Sequence, residues 1–153
     1  MTTITKELEA FHIIGISVRT TNQEGKSQKD IGELFGNFFQ NRLIEKIPNR
    51  ETDDIYCMYT EYENDFNGLY TTIIGCKVTS LEDIPSGFIG KAIPATKYLV
   101  YTSVGKLPES VGKTWGEIWQ SDINRSYVAD FDVYGQKSVD PENAEVETYI
   151  SIN

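Results

Sequence analysis

The chain has 153 residues, 39% of them Ala, Val, Ile, Leu, Met, Phe, Trp, Tyr or Cys, with 12 glycines besides. That is the apolar share of an ordinary globular protein, so disorder and a multidomain enzyme are both excluded and a single domain over 1–153 is expected. Fourteen Lys and Arg stand against 23 Asp and Glu, a formal charge of −9; a polyanion needs clustered basic side chains, so direct nucleic-acid binding is excluded, while the acidity suits a cationic ligand or a basic partner.

The opening residues, Met1 to Glu9, show neither the basic segment nor the apolar run of a secretory signal. No apolar stretch approaches the roughly 18 residues needed to span a bilayer, so a soluble, cytoplasmic protein with no membrane partner is expected. Phe11–Thr20 is rich in β-branched residues and predicts a strand, and Thr21–Gly25 releases the chain. From Ser27 to about Ile47, Ile31, Leu34, Phe35, Phe38 and Leu43 recur at helical spacing, and Pro48 marks the end. Ile55–Tyr62 and Leu69–Val78 predict two strands joined by a turn over Glu63–Gly68. The first half thus reads β-α-β-β.

A link holding Pro85, Gly87, Gly90 and Pro94 follows, and the same order returns: strand Tyr98–Val104, helix from about Pro108 to Ser121, strands Ala129–Tyr134 and Val146–Ile152. Val111, Trp115, Ile118 and Trp119 form a one-sided stripe on the second helix. Ile55 and Leu69 lie 14 positions apart, as do Phe131 and Glu145. The chain is therefore read as α+β, a duplication of β-α-β-β units (about 11–78 and 98–152) about a pseudo-twofold axis, with antiparallel sheets, two amphipathic helices and a central cleft for a small molecule.

The chemistry in that cleft is limited by what the chain contains. His12 is the single histidine and sits in an apolar run, so a Ser-His-Asp or Cys-His mechanism has little support. Cys57 and Cys76 fall on predicted strands with no metal-ligand spacing; buried reduced thiols are expected, with a redox pair across the hairpin as the alternative. Nucleotide-binding glycine motifs are absent, and neither a cofactor nor a metal is expected. On the last strand Val146, Thr148, Ile150 and Ile152 share one face, which should meet the helices, and Glu147, Tyr149 and Ser151 share the other. Glu147 then faces solvent or the cleft. A carboxylate in an aromatic pocket is costly to ionise without a partner, so such a pocket favours a ligand that brings positive charge, and ring stacking adds to the attraction. On Ala129–Tyr134, Phe131 and Val133 lie on one face and Asp130, Asp132 and Tyr134 on the other, which is either exposed or shares the cleft with Glu147. The candidate ligand-binding residues are Glu147, Trp119, Tyr134, Tyr149 and Phe38.

The order of elements, the segment Thr114-Trp115-Gly-Glu-Ile118-Trp119, Arg125, the strand Asp130–Tyr134 and the terminal Glu147–Ile152 together resemble the GyrI-like superfamily, over nearly the whole chain from Phe11 to Ile152. That superfamily includes effector-binding domains of multidrug-responsive regulators of the AraC and MerR types and stand-alone integron-associated effector-binding proteins. With no segment left for a helix-turn-helix, the chain looks like the stand-alone form. The resemblance implies a pseudo-twofold pair of units with a cleft between them, a last-strand glutamate, here Glu147, that pairs with lipophilic cations, and aromatic walls. Relatives often carry Pro at Ser151, an aliphatic residue at Thr148 and Glu at Asp132; the first two departures bear on edge geometry and packing, the third on a contact. Three functions follow. The first is an effector-binding or sequestering module of transcription-regulator type for amphipathic, cationic small molecules, with a transcription regulator as its candidate partner. The second is a hydrolase of strained cyclopropyl electrophiles with Glu147 as base and Tyr134 or Tyr149 as proton donor or orienter. The third is a gyrase-inhibitor-like partner protein.

Overall fold

The computed structural model describes residues 3–65 and 67–153; Met1, Thr2 and Phe66, the last within the expected Glu63–Gly68 turn, lie outside the described residues. Among the described residues the chain forms β1 (Thr3–Leu8), β2 (Phe11–Thr21), α1 (Lys26–Gln40), β3 (Ile55–Thr60), β4 (Leu69–Val78), β5 (Ile89–Ile93), β6 (Thr96–Gly105), α2 (Glu109–Gln120), β7 (Ala129–Tyr134) and β8 (Ala144–Ser151). The α+β class read from the sequence is the one the chain adopts. The strands make one sheet in the order β1-β6-β8-β7-β3-β4-β2-β5, and every neighbouring pair is antiparallel.

Two strands were not predicted, and one helix is shorter than its apolar spacing suggests. β1 alternates Thr, Lys and Glu with little burial, and β5 is five residues long with Gly90 inside it, so neither carries the hydrophobic alternation that marks a strand. The first helix ends at Gln40, and the side-chain amide of Asn41 donates to the Asn37 carbonyl. Arg42 then takes a left-handed conformation (φ 49°), and Leu43–Lys46 continue as a short 3-10 turn. Leu43 keeps its buried place without being part of the helix.

Each helix covers a different part of one sheet face. Phe38 of α1 packs in a cluster with Ile14 and Ile16 of β2, Cys57 of β3, and Ile74 and Cys76 of β4. Ile118 of α2 packs with Tyr101 of β6 and Ile150 of β8. Hydroxyls tie both helices down: Thr20 donates to Asp30 (2.9 Å), and Ser103 and Thr114 share a buried bond (2.6 Å). The central seam, where β3 meets β7, is left between the two helices. The opposite face buries a cluster whose members all come from strands, among them Phe11, Tyr98, Phe131 and Tyr149. With no helix over it, that cluster depends on the sheet curling around its own side chains.

Candidate functional site

Antiparallel pairing at the seam decides which side chains reach the space between the helices. Cys57 lies opposite Asp132 and Tyr59 opposite Asp130, so Cys57, Tyr59, Asp130, Asp132 and Tyr134 share the helix face. Of these, Tyr59, Asp132 and Tyr134 line a cleft of about 400 Å³, within the usual size of small-molecule sites. Ile31, Gly32 and Phe35 of α1 form one wall, and Val111, Gly112, Trp115 and Trp119 of α2 the other. Tyr62, Tyr70 and Arg125 also line the cleft. The rings brace one another edge to face, Tyr59 on Trp115 at 5.2 Å and Phe35 on Tyr134 at 5.9 Å between centroids.

At the bottom of this aromatic cleft sits the carboxylate of Asp132, 1% exposed. It accepts hydrogen bonds from the Thr148 hydroxyl (2.5 Å), the Trp115 indole N–H (3.1 Å) and the Tyr59 hydroxyl (3.1 Å). All three donors are neutral, and among the described residues no Lys, Arg or His forms an ion pair with it. Burial therefore pushes its pKa up from 3.8 to about 6, with the three donors opposing the rise and Asp130 adding to it. The same burial raises the Tyr59 and Tyr134 hydroxyls and the Cys57 thiol well above their ordinary ranges, so all three stay protonated at neutral pH.

Asp130, two residues away, is handled differently. Its carboxylate pairs with the Arg125 guanidinium at 2.7 Å and accepts from the Tyr62 hydroxyl and from the backbone and hydroxyl of Ser151. Arg125 in turn lies 4.4 Å over the Tyr127 ring. The two buried carboxylates thus differ in kind: Asp130 is neutralised by a buried partner, and Asp132 carries a charge matched only by dipoles.

Of the sequence-derived candidates, Trp119 and Tyr134 line the cleft. Phe38 is 1% exposed and packs beneath α1 as a core residue. Glu147 and Tyr149 share a face, as the alternation implied, but it is the face away from the helices. The cause is register: Asp132 lies opposite Thr148 and Val133 opposite Glu147, so Asp132 and Glu147 point to opposite sides and cannot share one cleft. Glu147 instead accepts a long hydrogen bond from Tyr149 (3.4 Å). Ile150 does meet the helices, through Ile118. The two cysteines are free and buried, with Cys57 opposite Ile74.

Sequence reasoning offers Asp132 only as an alternative neighbour of Glu147 in the cleft and does not name Tyr59, Tyr62 and Tyr70 in its lining. One signal in the sequence points to the two helix walls. Ile31, Gly32, Phe35, Gly36, Phe39 and Gln40 are matched 80 positions on by Val111, Gly112, Trp115, Gly116, Trp119 and Gln120. Position by position, the pattern places an aromatic ring and a glycine from each helix on the cleft.

An antiparallel sheet carrying two helices over an aromatic cleft is the build of the effector-binding domains with the GyrI-like fold. The chain belongs to the Cass2 family of integron-associated effector binding proteins, whose family model matches residues 4–152. It is 31% identical over 150 residues to YobU of Bacillus subtilis (strain 168), a protein named as a candidate transcriptional regulator; the match covers 95% of this chain and 94% of YobU. Among solved structures it resembles the integron cassette protein VCH_CASS2 from the mobile metagenome of Vibrio cholerae, with 28% identity, a TM-score of 0.76, and 99% of this chain and 95% of that one covered. It also shares the fold of SAV2435, solved bound to tetraphenylphosphonium, with 17% identity, a TM-score of 0.81, and 100% and 94% coverage. Among the described residues no helix is long and apolar enough to cross a membrane, and no group of three His, Cys, Asp or Glu side chains could hold a metal ion.

Proposed function

We propose that the cleft binds amphipathic, lipophilic cations and that the protein works as an effector-binding or sequestering module of transcription-regulator type. The observation that carries this reading is Asp132, a fully buried carboxylate with no cationic partner among the described residues, at the floor of an aromatic cleft. A buried charge held only by neutral donors is an expensive feature, and a cation entering the cleft completes the pair in a low-dielectric site. Tyr59, Tyr134, Trp115 and Trp119 line the same cleft, and each ring that turns its face to the cation contributes up to about 2 kcal/mol when desolvated. Fit depends on charge and ring contact more than on a fixed hydrogen-bond pattern, which suits ligands of varied shape. Tetraphenylphosphonium in a protein of the same fold, and the name given to YobU, support the ligand class and the regulatory setting.

Both tryptophans of the chain line the cleft, so their intrinsic fluorescence reports its occupancy. Titration with tetraphenylphosphonium should quench it saturably, and neutral triphenylphosphine oxide should do so far more weakly. Asp132→Asn should lower the cation's affinity at least tenfold, in line with the loss of one partner of a desolvated pair. Glu147→Gln should leave it within about twofold. The reverse pattern, with Glu147→Gln damaging and Asp132→Asn neutral, would move the cation site to the other face of the sheet.

A further inference from the structure

The cleft has a neighbour on the far side of its aromatic rings. A second cavity of about 840 Å³ shares Phe35, Pro108 and Tyr134 with it. Phe35 and Tyr134, meeting edge to face, form the partition between the two. Beyond it, Phe39 stacks nearly parallel on Phe35 with centroids 6.0 Å apart, and the lobe is completed by Leu107, Val139 and Pro141. Phe39 is 57% exposed and Val139 74%. Isolated exposed apolar residues need no explanation, but these two line the same groove, which shares walls with a ligand-sized cleft.

We infer that the two cavities are lobes of one site and that the second takes the apolar tail of an elongated, single-headed cationic amphiphile. The inference rests on the proposed cation site at Asp132. Residues 132 and 134 are successive same-face positions of β7, about 6.6 Å apart along the strand. A head group seated on Asp132 therefore places the start of its tail at the partition, and only a tail of several carbons passes beyond it. Among the described residues no basic side chain lines the second lobe, and Asp53 and Asp54 stand in its lining. That charge disfavours a carboxylate-headed tail of the same length entering from the far end. Asp53 is already paired with Arg50 at 3.2 Å, and Phe35, Phe39, Ile55, Leu107, Val139 and Pro141 give the lobe a largely apolar lining, which suits a tail better than a second cationic head.

The test compares butyltrimethylammonium with dodecyltrimethylammonium, held below its micelle concentration, using the fluorescence of Trp115 and Trp119. Each methylene buried in the second lobe should raise affinity about fourfold at best, so the dodecyl compound should bind at least tenfold more tightly, and dodecanoate should not compete. The double variant Phe39→Ser, Val139→Asn changes two exposed positions and should fold normally. It should weaken dodecyltrimethylammonium at least tenfold while leaving tetraphenylphosphonium within about twofold. Equal affinities for the two chain lengths, or a variant that weakens tetraphenylphosphonium as much as the dodecyl compound, overturn the inference. If tetraphenylphosphonium itself fails to bind the wild type, the cation reading of the cleft falls with it. If it binds in an Asp132-dependent manner and tail length has no effect, only the second lobe is lost.

Discussion

The carboxyl of Asp132 sets a cost that the fold bears whenever the cleft is empty. At pH values below about 3.8 it is protonated in both the folded and the unfolded chain and imposes no penalty. Between 3.8 and about 6 the unfolded chain releases the proton while the folded chain keeps it, so the native state loses stability steadily as pH rises. Above about 6 the full cost is reached, about 3 kcal/mol for a rise of that size. Asparagine removes the ionisation: its carboxamide oxygen can still accept from Trp115, and the Thr148 and Tyr59 hydroxyls can rotate to suit it. Asp132→Asn should therefore be more stable than wild type at pH 8 by about 1–3 kcal/mol, with the advantage shrinking at pH 5 and gone near pH 3.5. Urea unfolding at pH 5 and pH 8 measures it, and a variant weakened equally at both would make Asp132 a packing residue. The same titration sets a direction for binding: cation affinity should fall as pH drops through about 6, because a protonated carboxyl has no charge to offer.

The elements show where a sequence speaks and where it is silent. Both helices announce themselves because each must bury one stripe, and a stripe at 3.6-residue spacing survives in the sequence. β2 and β4 announce themselves because their central residues are buried on both faces, giving long apolar runs. β1 and β5 are edge strands whose side chains bury little, so their strand character resides in backbone pairing, which leaves no pattern to read. The site divides in the same way. Side-chain parity along β7 and β8 is written in their alternation, but which face the helices cover is a tertiary fact, and it is this that separates Asp132 from Glu147. Glycines have opposite meanings in the two kinds of element. Gly15 and Gly75 lie opposite each other in β2 and β4, and a Cβ on either would strike the backbone of the other strand. Gly116 of α2 has open space around its Cβ position. Gly75→Ala should thus destabilise the protein by about 2–3 kcal/mol through overpacking, whereas Gly116→Ala should stabilise it by about 1 kcal/mol through helix propensity. Opposite shifts of the urea midpoint confirm the contrast; equal shifts would mean that the sheet can part at Gly75 at no cost.

At the scale of the whole molecule, the strand order has a regularity that local reading does not show. Outward from the seam, one side runs β3, β4, β2 and the other β7, β8, β6, the third, fourth and first elements of each β-α-β-β half. Together with the matching helix patterns, this is what a duplicated unit would leave. The outermost places are exchanged: β5, which leads into the second half, pairs with β2 of the first, while β1, which leads into the first, pairs with β6 of the second. Each leading strand therefore covers the other half's edge, and the cleft between α1 and α2 sits on a sheet fastened at both ends across its middle. β1 contributes little burial beyond Leu8, which packs against the strand-only cluster, so its removal should cost only about 1–2 kcal/mol of apolar contact. What it protects is the edge of β6, whose unpaired N–H and C=O groups would otherwise be open to another chain. A truncated protein beginning at Glu9 should consequently keep its cation affinity within about twofold, since no residue of β1 lines the cleft, yet associate in a concentration-dependent way that light scattering detects. Unchanged mass at all concentrations would show that the β6 edge needs no cover. A large loss of cation affinity would show instead that the shape of the cleft depends on the sheet being fastened at both ends.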